Sequence, residues 1–212
     1  MTGSKTLGLV LAGGAALRMG GGDKPLRRLG NQTILQRILD RFAGQVDGII
    51  LSLNGDPKRF ATFGLTTVPD TLEEAAGPLA GILAGLDWAA SCRPDVALVA
   101  SVAGDAPFLP RDLVIGLERE RASTGATIAC AESGGRMHPV NALWPVSLRH
   151  DLRRAMRDDG MRKVGLYCQQ RGVVRVPWST DPVDPFFNVN EPADLAEAER
   201  LITRLAGQNR AV

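Results

Sequence analysis

The sequence is poor in cysteine, in surplus charge of one sign and in long apolar runs. Its three cysteines, Cys92, Cys130 and Cys168, lie far apart and form no C-x-x-C pair, which argues against a disulfide framework and a structural zinc site. With 25 Lys and Arg against 23 Asp and Glu, the net charge is +2, far from the basic field of a general nucleic-acid binder. No segment reaches the ~20 apolar residues of a membrane span.

The apolar stretch at residues 7–17 also lacks the features of a secretory signal. Two glycines, Gly13 and Gly14, interrupt it, and Arg18 follows at once, without a cleavage site. We therefore expect a cytoplasmic protein that contacts neither nucleic acid nor membrane, with free thiols buried in a reducing compartment.

Apolar residues and glycine are abundant instead. Apolar residues make up 44% of the 212 positions, enough for a core, so disorder is excluded. The 24 glycines have no three-residue period, which excludes collagen. Because no repeat or linker interrupts the chain, we expect a single domain over residues 1–212.

Short apolar runs alternate with segments of helical periodicity. The predicted strands span residues 7–11, 48–53, 67–69, 96–102, 126–131, 140–144, 173–176 and 187–189. Helices are predicted from a capping box at Thr33, at 78–90, 111–121, 147–157 and 162–170, and from Pro192, with Asn190 as a candidate cap. This alternation predicts an α/β fold with a doubly wound, mostly parallel sheet and helices on both faces. Ligands of such folds bind beyond the carboxyl ends of the strands.

The loop after the first strand, within residues 11–26, holds five glycines together with Arg18 and Lys24. Glycine lets backbone N–H groups approach phosphate oxygens, and the cations offset phosphate charge. The loop matches neither the P-loop pattern nor the dinucleotide fingerprint. On the residues alone it is either a nucleotide-binding loop or a flexible loop with solvated cations.

The same loop resembles the signature L-A-G-G-x-x-x-R-M-G-x-x-D-K-x-L of the molybdenum cofactor guanylyltransferases. Three further segments are similar to this family, in the family's order: G-P-L-A-G at 77–81, D-x-P-F at 105–108 and F-N-V-N-E-P at 187–192. The sequence departs from the family at Ala16, where serine is frequent, and at Gly104 and Ala106. The resemblance covers almost the whole chain and implies a Rossmann-like nucleotidyltransferase fold.

The resemblance also implies a reaction, the transfer of GMP from GTP to the terminal phosphate of molybdenum-carrying molybdopterin. Arg18, Lys24 and Asp105 would be the catalytic residues. Arg18 and Lys24 would hold the triphosphate, while Asp105 would ligate Mg²⁺, which favours one or two carboxylates plus phosphate oxygens. The implied partners are GTP and Mo-molybdopterin, with other cofactor-biosynthesis proteins and recipient molybdoenzymes as further candidates.

Two sets of binding residues follow from the same resemblance. The nucleotide set is Leu11, Ala12, Gly13, Gly14, Lys24, Asn54, Asp70 and Asp105. The molybdopterin set is His138, Asn188 and Asn190. Residues 1–110 would thus bind GTP and Mg²⁺, and residues 111–212 would contribute to the molybdopterin site. Simpler roles remain open for some of them: a turn for Asp70, a helix cap for Asn190 and a structural role for His138.

Three other functions remain open. Cytidylyl transfer to molybdopterin is the nearest, although that sister family usually reads Leu-Ala-Ala-Gly where Gly13 here follows Ala12. Another small-molecule or sugar nucleotidyltransferase of the same fold is the second. The third is a non-catalytic nucleotide or cofactor carrier, which would have no need of a metal ligand at Asp105.

Overall fold

The computed structural model describes residues 5–13, 22–70 and 77–208. Its strands are β1 (Lys5–Leu11), β2 (Arg28–Leu29), β3 (Gln32–Thr33), β4 (Ile49–Ser52), β5 (Thr66–Val68), β6 (Val96–Ala103), β7 (Ile128–Ser133), β8 (Arg136–Pro145) and β9 (Val173–Trp178). Its α-helices are α1 (Ile34–Phe42), α2 (Pro78–Cys92), α3 (Leu113–Thr124), α4 (Arg149–Arg157), α5 (Val164–Gln170) and α6 (Pro192–Gln208).

Seven strands form one sheet in the order β5-β4-β1-β6-β8-β7-β9. All neighbours are parallel except β8, which runs antiparallel to both β6 and β7. Helices α1, α3 and α6 pack on one face, and α2, α4 and α5 pack on the other. The predicted α/β fold, a doubly wound and mostly parallel sheet, is confirmed.

The central strand and the first helix form where local sequence signals are strong. In β1, Leu9 and Val10 point to opposite faces, and both are completely buried, as expected for a strand covered by helices on both sides. At the start of α1, the Thr33 hydroxyl accepts a hydrogen bond from the backbone N–H of Gln36 at 3.1 Å. The predicted cap at Thr33 is therefore present.

The predicted strand at residues 187–189 is wrong. This segment is an extended loop outside the sheet, and the backbone N–H of Val189 donates to the carbonyl of Asp105 at 2.9 Å. Its alternation imitates a strand because Val189 is buried as an anchor while Asn188 is exposed. The alternation that suggested a strand belongs to a loop, and the buried Val189 holds this loop against the residues that follow β6.

The strand predicted at 140–144 is longer than expected and has the opposite direction to its neighbours. It forms a hairpin with β7 through a two-residue turn, in which Gly134 and Gly135 have φ values of 55° and 76°. Positive φ at both positions is the requirement of a type I′ turn, which glycine meets without steric cost. The hairpin places the first residues of β8 at the carboxyl end of β6.

The cysteines follow the prediction only in part. Cys130 and Cys168 are buried free thiols, whereas Cys92 is exposed because α2 ends there. Burial raises the pKa of the Cys168 thiol to about 12, so this thiol stays protonated. In the described part of the chain, no helix has both the length and the apolar character needed to cross a bilayer.

Candidate functional site

A cleft of about 390 Å³ opens at the carboxyl edge of the sheet. One wall consists of residues that follow β1, β4, β5 and β6, together with the N-terminal end of α2. The opposite wall is the beginning of β8, residues 136–141. The cleft therefore lies where a doubly wound sheet is expected to bind its ligand.

The cleft contains a lysine and a carboxylate that lie close together and are both partly buried. The ammonium of Lys24 donates to Oδ1 of Asn190 at 2.7 Å and lies 3.6 Å from Oδ2 of Asp105. Burial raises the pKa of the Asp105 carboxyl, and the positive charge of Lys24 opposes this rise without cancelling it. The ionised carboxylate is thus under-compensated and would be stabilised by a further cation.

A glycine brings Asp105 to this position. Gly104 comes directly after β6, and its N–H donates to the carbonyl of Leu11 at 3.0 Å. A Cβ at Gly104 would lie 2.6 Å from that carbonyl oxygen, so no larger residue fits without a shift of the backbone. The ends of β1 and β6 therefore approach closely at the base of the cleft.

An ion pair fixes the residue before Lys24. Both carboxylate oxygens of Asp23 accept from Nη1 of Arg59, at 2.6 and 2.7 Å, and Nη2 of the same side chain donates to the carbonyl of Asn54 at 2.9 Å. Arg59 thus ties the lysine segment to the loop that follows β4. No local pattern signals this contact, because 36 positions separate the partners.

Asn54 and Asp70 bind each other at the ends of β4 and β5. Nδ2 of Asn54 donates to Oδ2 of Asp70 at 2.8 Å, and the N–H of Asp70 donates to Oδ1 of Asn54 at 3.2 Å. Because each holds the other, both side chains have a defined orientation at the rim of the cleft.

The N-terminal end of α2 borders the same side, with Gly77, Pro78 and Gly81 among the lining residues. A Cβ at Gly81 would lie 2.5 Å from Oγ of Ser52, so glycine allows the helix to approach the strands this closely. The N-terminal end of a helix carries partial positive charge and unpaired N–H groups. This end of α2 therefore favours an anion in the cleft.

A histidine on the opposite wall has a defined tautomer. Ser133 Oγ donates to Asp184 at 2.8 Å and lies 2.7 Å from Nε2 of His138. Since the hydroxyl has one proton and gives it to the carboxylate, Nε2 of His138 must be the donor to Ser133. Burial lowers the pKa of His138, although Asp184 opposes this, so at neutral pH the ring is uncharged with Nδ1 as an acceptor.

Most of the residues singled out from the sequence border this cleft. These are Leu11, Gly13, Lys24, Asn54, Asp70, Asp105, His138 and Asn188. Asn190 reaches the cleft through its bond to Lys24. Ala12, whose backbone was expected to contact the nucleoside, is not among the lining residues: the residue is 2% exposed and belongs to the core. Gly14 and Arg18 lie outside the described residues.

The candidate cap at Asn190 is replaced by another residue. The backbone N–H groups of Asn190 and Glu191 both donate to Oδ2 of Asp194, each at 2.9 Å. Asp194, in the first turn of α6, therefore satisfies the donors of the two residues that precede the helix. This leaves the side-chain oxygen of Asn190 available to Lys24.

Three polar lining residues, Ser52, Arg136 and Asn141, were not predicted from the sequence. Oδ1 of Asn141 accepts from the N–H of Ala103 at 3.0 Å and joins the β8 wall to the end of β6. The Gly134–Gly135 pair was a usable signal for the hairpin that brings Arg136 and Asn141 here.

Comparison with known proteins identifies the class of enzyme to which this chain belongs. The model of the MobA-like NTP transferase domain family matches residues 8–171, so the fold is that of an NTP transferase. A molybdenum cofactor guanylyltransferase of Nitrobacter hamburgensis is 55% identical over 196 residues, which cover 92% of this chain and 94% of the relative. The chain belongs to the MobA-like NTP transferase family and, within it, to the molybdenum cofactor guanylyltransferases.

Solved structures support the same fold. The molybdopterin-guanine dinucleotide biosynthesis protein A of Archaeoglobus fulgidus superposes with a TM-score of 0.71 at 22% identity, over 93% of this chain and 99% of that one. A Mycobacterium tuberculosis protein solved in complex with manganese has a TM-score of 0.64 at 20% identity, over 92% and 98% of the two chains. The nucleotidyltransferase fold implied by the resemblance is confirmed.

Proposed function

We propose that the protein transfers GMP from GTP to the terminal phosphate of Mo-molybdopterin and releases pyrophosphate. An oxygen of the acceptor phosphate attacks the α-phosphorus, the bond between the α-phosphorus and the bridging oxygen to the β-phosphate breaks, and pyrophosphate leaves with that electron pair. The acceptor phosphate is already ionised, so no general base is needed. The observation that carries the proposal is the pairing of Lys24 with the buried Asp105 in the cleft, within a chain closely similar to guanylyltransferases.

The chain's own residues on the nucleotide wall would position GTP. Lys24 and the N-terminal end of α2 would bind the triphosphate, because both favour negative charge. Asn54 and Asp70, which orient each other, would contact the nucleoside beside Leu11. By the resemblance, Arg18 would join Lys24 on the phosphates.

The donor set fits a divalent cation that arrives together with the nucleotide. Within the described ranges there is no group of three or more His, Cys, Asp or Glu side chains that could hold a metal alone. Asp105 is a single buried carboxylate beside the proposed phosphate site, and Mg²⁺ commonly takes one or two carboxylates with phosphate oxygens and water. When bound, Mg²⁺ would offset negative charge on the nucleotide oxygens. The manganese complex of the Mycobacterium protein is consistent with a divalent cation in this fold.

The wall formed by β8 and the loop before α6 would accept molybdopterin. His138 offers a neutral ring with an acceptor nitrogen, and Asn188 and Asn190 offer amides. Asn190 bonds to Lys24 across the cleft, so the acceptor side and the nucleotide side meet at the lysine.

The test is incubation of the pure protein with Mo-molybdopterin, Mg²⁺ and either GTP or CTP, followed by separation of the products. We expect the guanine dinucleotide and pyrophosphate in the reaction that contains GTP, and no dinucleotide in the reaction that contains CTP. Dinucleotide formed only with CTP would reassign the protein to cytidylyl transfer. Binding of nucleotide without any product would identify a carrier instead.

A further inference from the structure

We propose that Arg136 binds the phosphate of the acceptor and thereby selects a phosphorylated substrate; this inference rests on the proposed function. Arg136 is the first residue of β8 and lines the cleft on the wall opposite Lys24. Arg136 belongs to the segment around His138 that is similar to the family's H-P stretch, but within that segment a role was expected for His138 alone. Its position, its lack of a hydrogen-bonding or ion-pair partner among the described residues and the charge of the cleft support the assignment.

The backbone of Arg136 is firmly held. It pairs with Ser133 across the Gly134–Gly135 turn, and the side chain of Ser133 is itself bonded to Asp184 and His138. The position from which the arginine side chain extends is therefore defined on the wall.

The guanidinium, in contrast, has nothing to bind in the described part of the protein. It makes no hydrogen bond and no ion pair with another described residue, and the residue is exposed. Other arginines nearby differ: Arg59 uses its donors on Asp23 and Asn54, and Arg175 pairs with Glu132. A rigidly based but unpaired arginine inside a cleft has its donors available for a ligand.

The charge of the cleft shows which ligand it would take. The reaction brings two phosphorylated molecules together, yet Asp70 and Asp105 add negative charge to the lining. Lys24 stands on the nucleotide wall, and Arg136 is the cation that the described lining residues provide on the opposite wall. A guanidinium can bind a phosphate through two parallel hydrogen bonds. The acceptor's terminal phosphate is the anion that must approach from that wall.

The experiment compares full-length wild type with Arg136→Ala, Arg136→Lys and the control Arg119→Ala. Arg119 has a side chain that is 75% exposed and pairs only with its neighbour Glu120. For Arg136→Ala we expect the KM for Mo-molybdopterin to rise about 10-fold or more, as for the loss of a charged hydrogen-bonding partner, with the KM for GTP within about 2-fold of wild type. Arg136→Lys should be intermediate, and the control should match wild type.

Direct binding separates this inference from the proposed function. Equilibrium binding of molybdopterin and of its dephosphorylated form is measured without nucleotide. We expect wild type to prefer the phosphorylated form and Arg136→Ala to lose that preference, with unchanged binding of the dephosphorylated form. Binding without turnover in wild type would overturn the proposed function but leave the role of Arg136 standing. An unchanged preference in Arg136→Ala, or equal rises in both KM values, would overturn the inference.

Discussion

At the scale of single residues, the site is dominated by a carboxylate that folding alone disfavours. Asp105 is mostly buried, and Lys24, the charged residue that pairs with it in the described part of the chain, also donates to Asn190. A buried charge without full compensation costs stability and is retained where function needs it. The Asp105 carboxylate therefore lowers the stability of the fold and, in the proposed function, supplies the charge that the reaction needs.

Substitution of Asp105→Asn separates these two effects. We expect turnover to fall by at least about 100-fold, because the amide cannot supply the charge that the site provides to a cation. Steady-state dinucleotide formation measures this loss, with Asp95→Asn as the control, since Asp95 lies far from the cleft in an ion pair with Lys5. Near-normal turnover would rule out the metal assignment.

The same variant should gain stability in a pH-dependent manner. Burial raises the pKa of Asp105 in the folded state. The protonated form therefore contributes stability that is fully present below the unfolded-state pKa of about 4. This stability is lost as pH rises through the folded-state pKa. Asparagine removes this loss. Urea unfolding should give similar free energies for wild type and Asp105→Asn at about pH 3.5, and a higher value for the variant at about pH 7.5. Equal values at both would contradict the pKa direction.

The ion pair between Arg59 and Asp23 positions Lys24. Removing either partner should loosen the segment before the lysine and raise the KM for GTP about 10-fold, a coupling within the usual range for contacting residues. The double variant should be no worse than either single one, and a double-mutant cycle of KM values tests this. Arg153→Ala, which breaks an ion pair with Asp87 outside the cleft, serves as the control. Additive losses would show that the two side chains act separately.

At the scale of elements, the β7–β8 hairpin builds the wall of the cleft that we propose for the acceptor. Its turn depends on backbone conformation rather than on space, because a Cβ at Gly134 would meet nothing closer than 3.6 Å and one at Gly135 nothing within 4 Å. The wall is therefore sensitive to the φ preference of these two residues.

Gly134→Ala tests this dependence against Gly134→Asn. Alanine in the left-handed region costs about 1–2 kcal/mol, whereas asparagine is favoured at this position of a type I′ turn. We expect urea unfolding to show a loss of about 1–2 kcal/mol for alanine and a smaller one for asparagine. Equal losses for the two variants would mean that the turn does not limit the hairpin.

The elements also show what a single sequence can predict. The strand β1 and the cap of α1 were predictable because their signals are local: a buried run, and a threonine three residues before Gln36. The β7–β8 hairpin had a local signal in Gly134 and Gly135, whereas the pairing of β8 with β6 joins residues far apart in the chain. The Arg59–Asp23 contact has no periodicity at all. Residues 187–189 were wrongly predicted as a strand, because an alternation of buried and exposed residues occurs both in strands and in loops held by one buried side chain.

At the scale of the whole molecule, the two walls of the cleft derive mainly from the two halves of the chain. The wall that we propose for the nucleotide comes from residues before 110, and the wall that we propose for the acceptor comes from β8 and the loop before α6. The halves are continuous in one sheet through the β6–β8 pairing, and Lys24 crosses the cleft to Asn190. The positions of the sequence motifs predicted most of the polar residues that line the cleft. The pairing of β6 with β8, which joins the two halves of the chain, could be read only from the fold.

The exposed Cys92 gives this protein a natural attachment point for a probe. The other two thiols are buried, and burial raises the pKa of both, so a maleimide dye added to the folded protein would react at Cys92. This residue ends α2, whose first residue, Pro78, borders the cleft. At 1.5 Å per residue the dye would sit about 21 Å from the cleft along the helix, a suitable distance for energy transfer to a fluorescent guanine nucleotide. Nucleotide binding could thus be followed in the protein with no residue replaced.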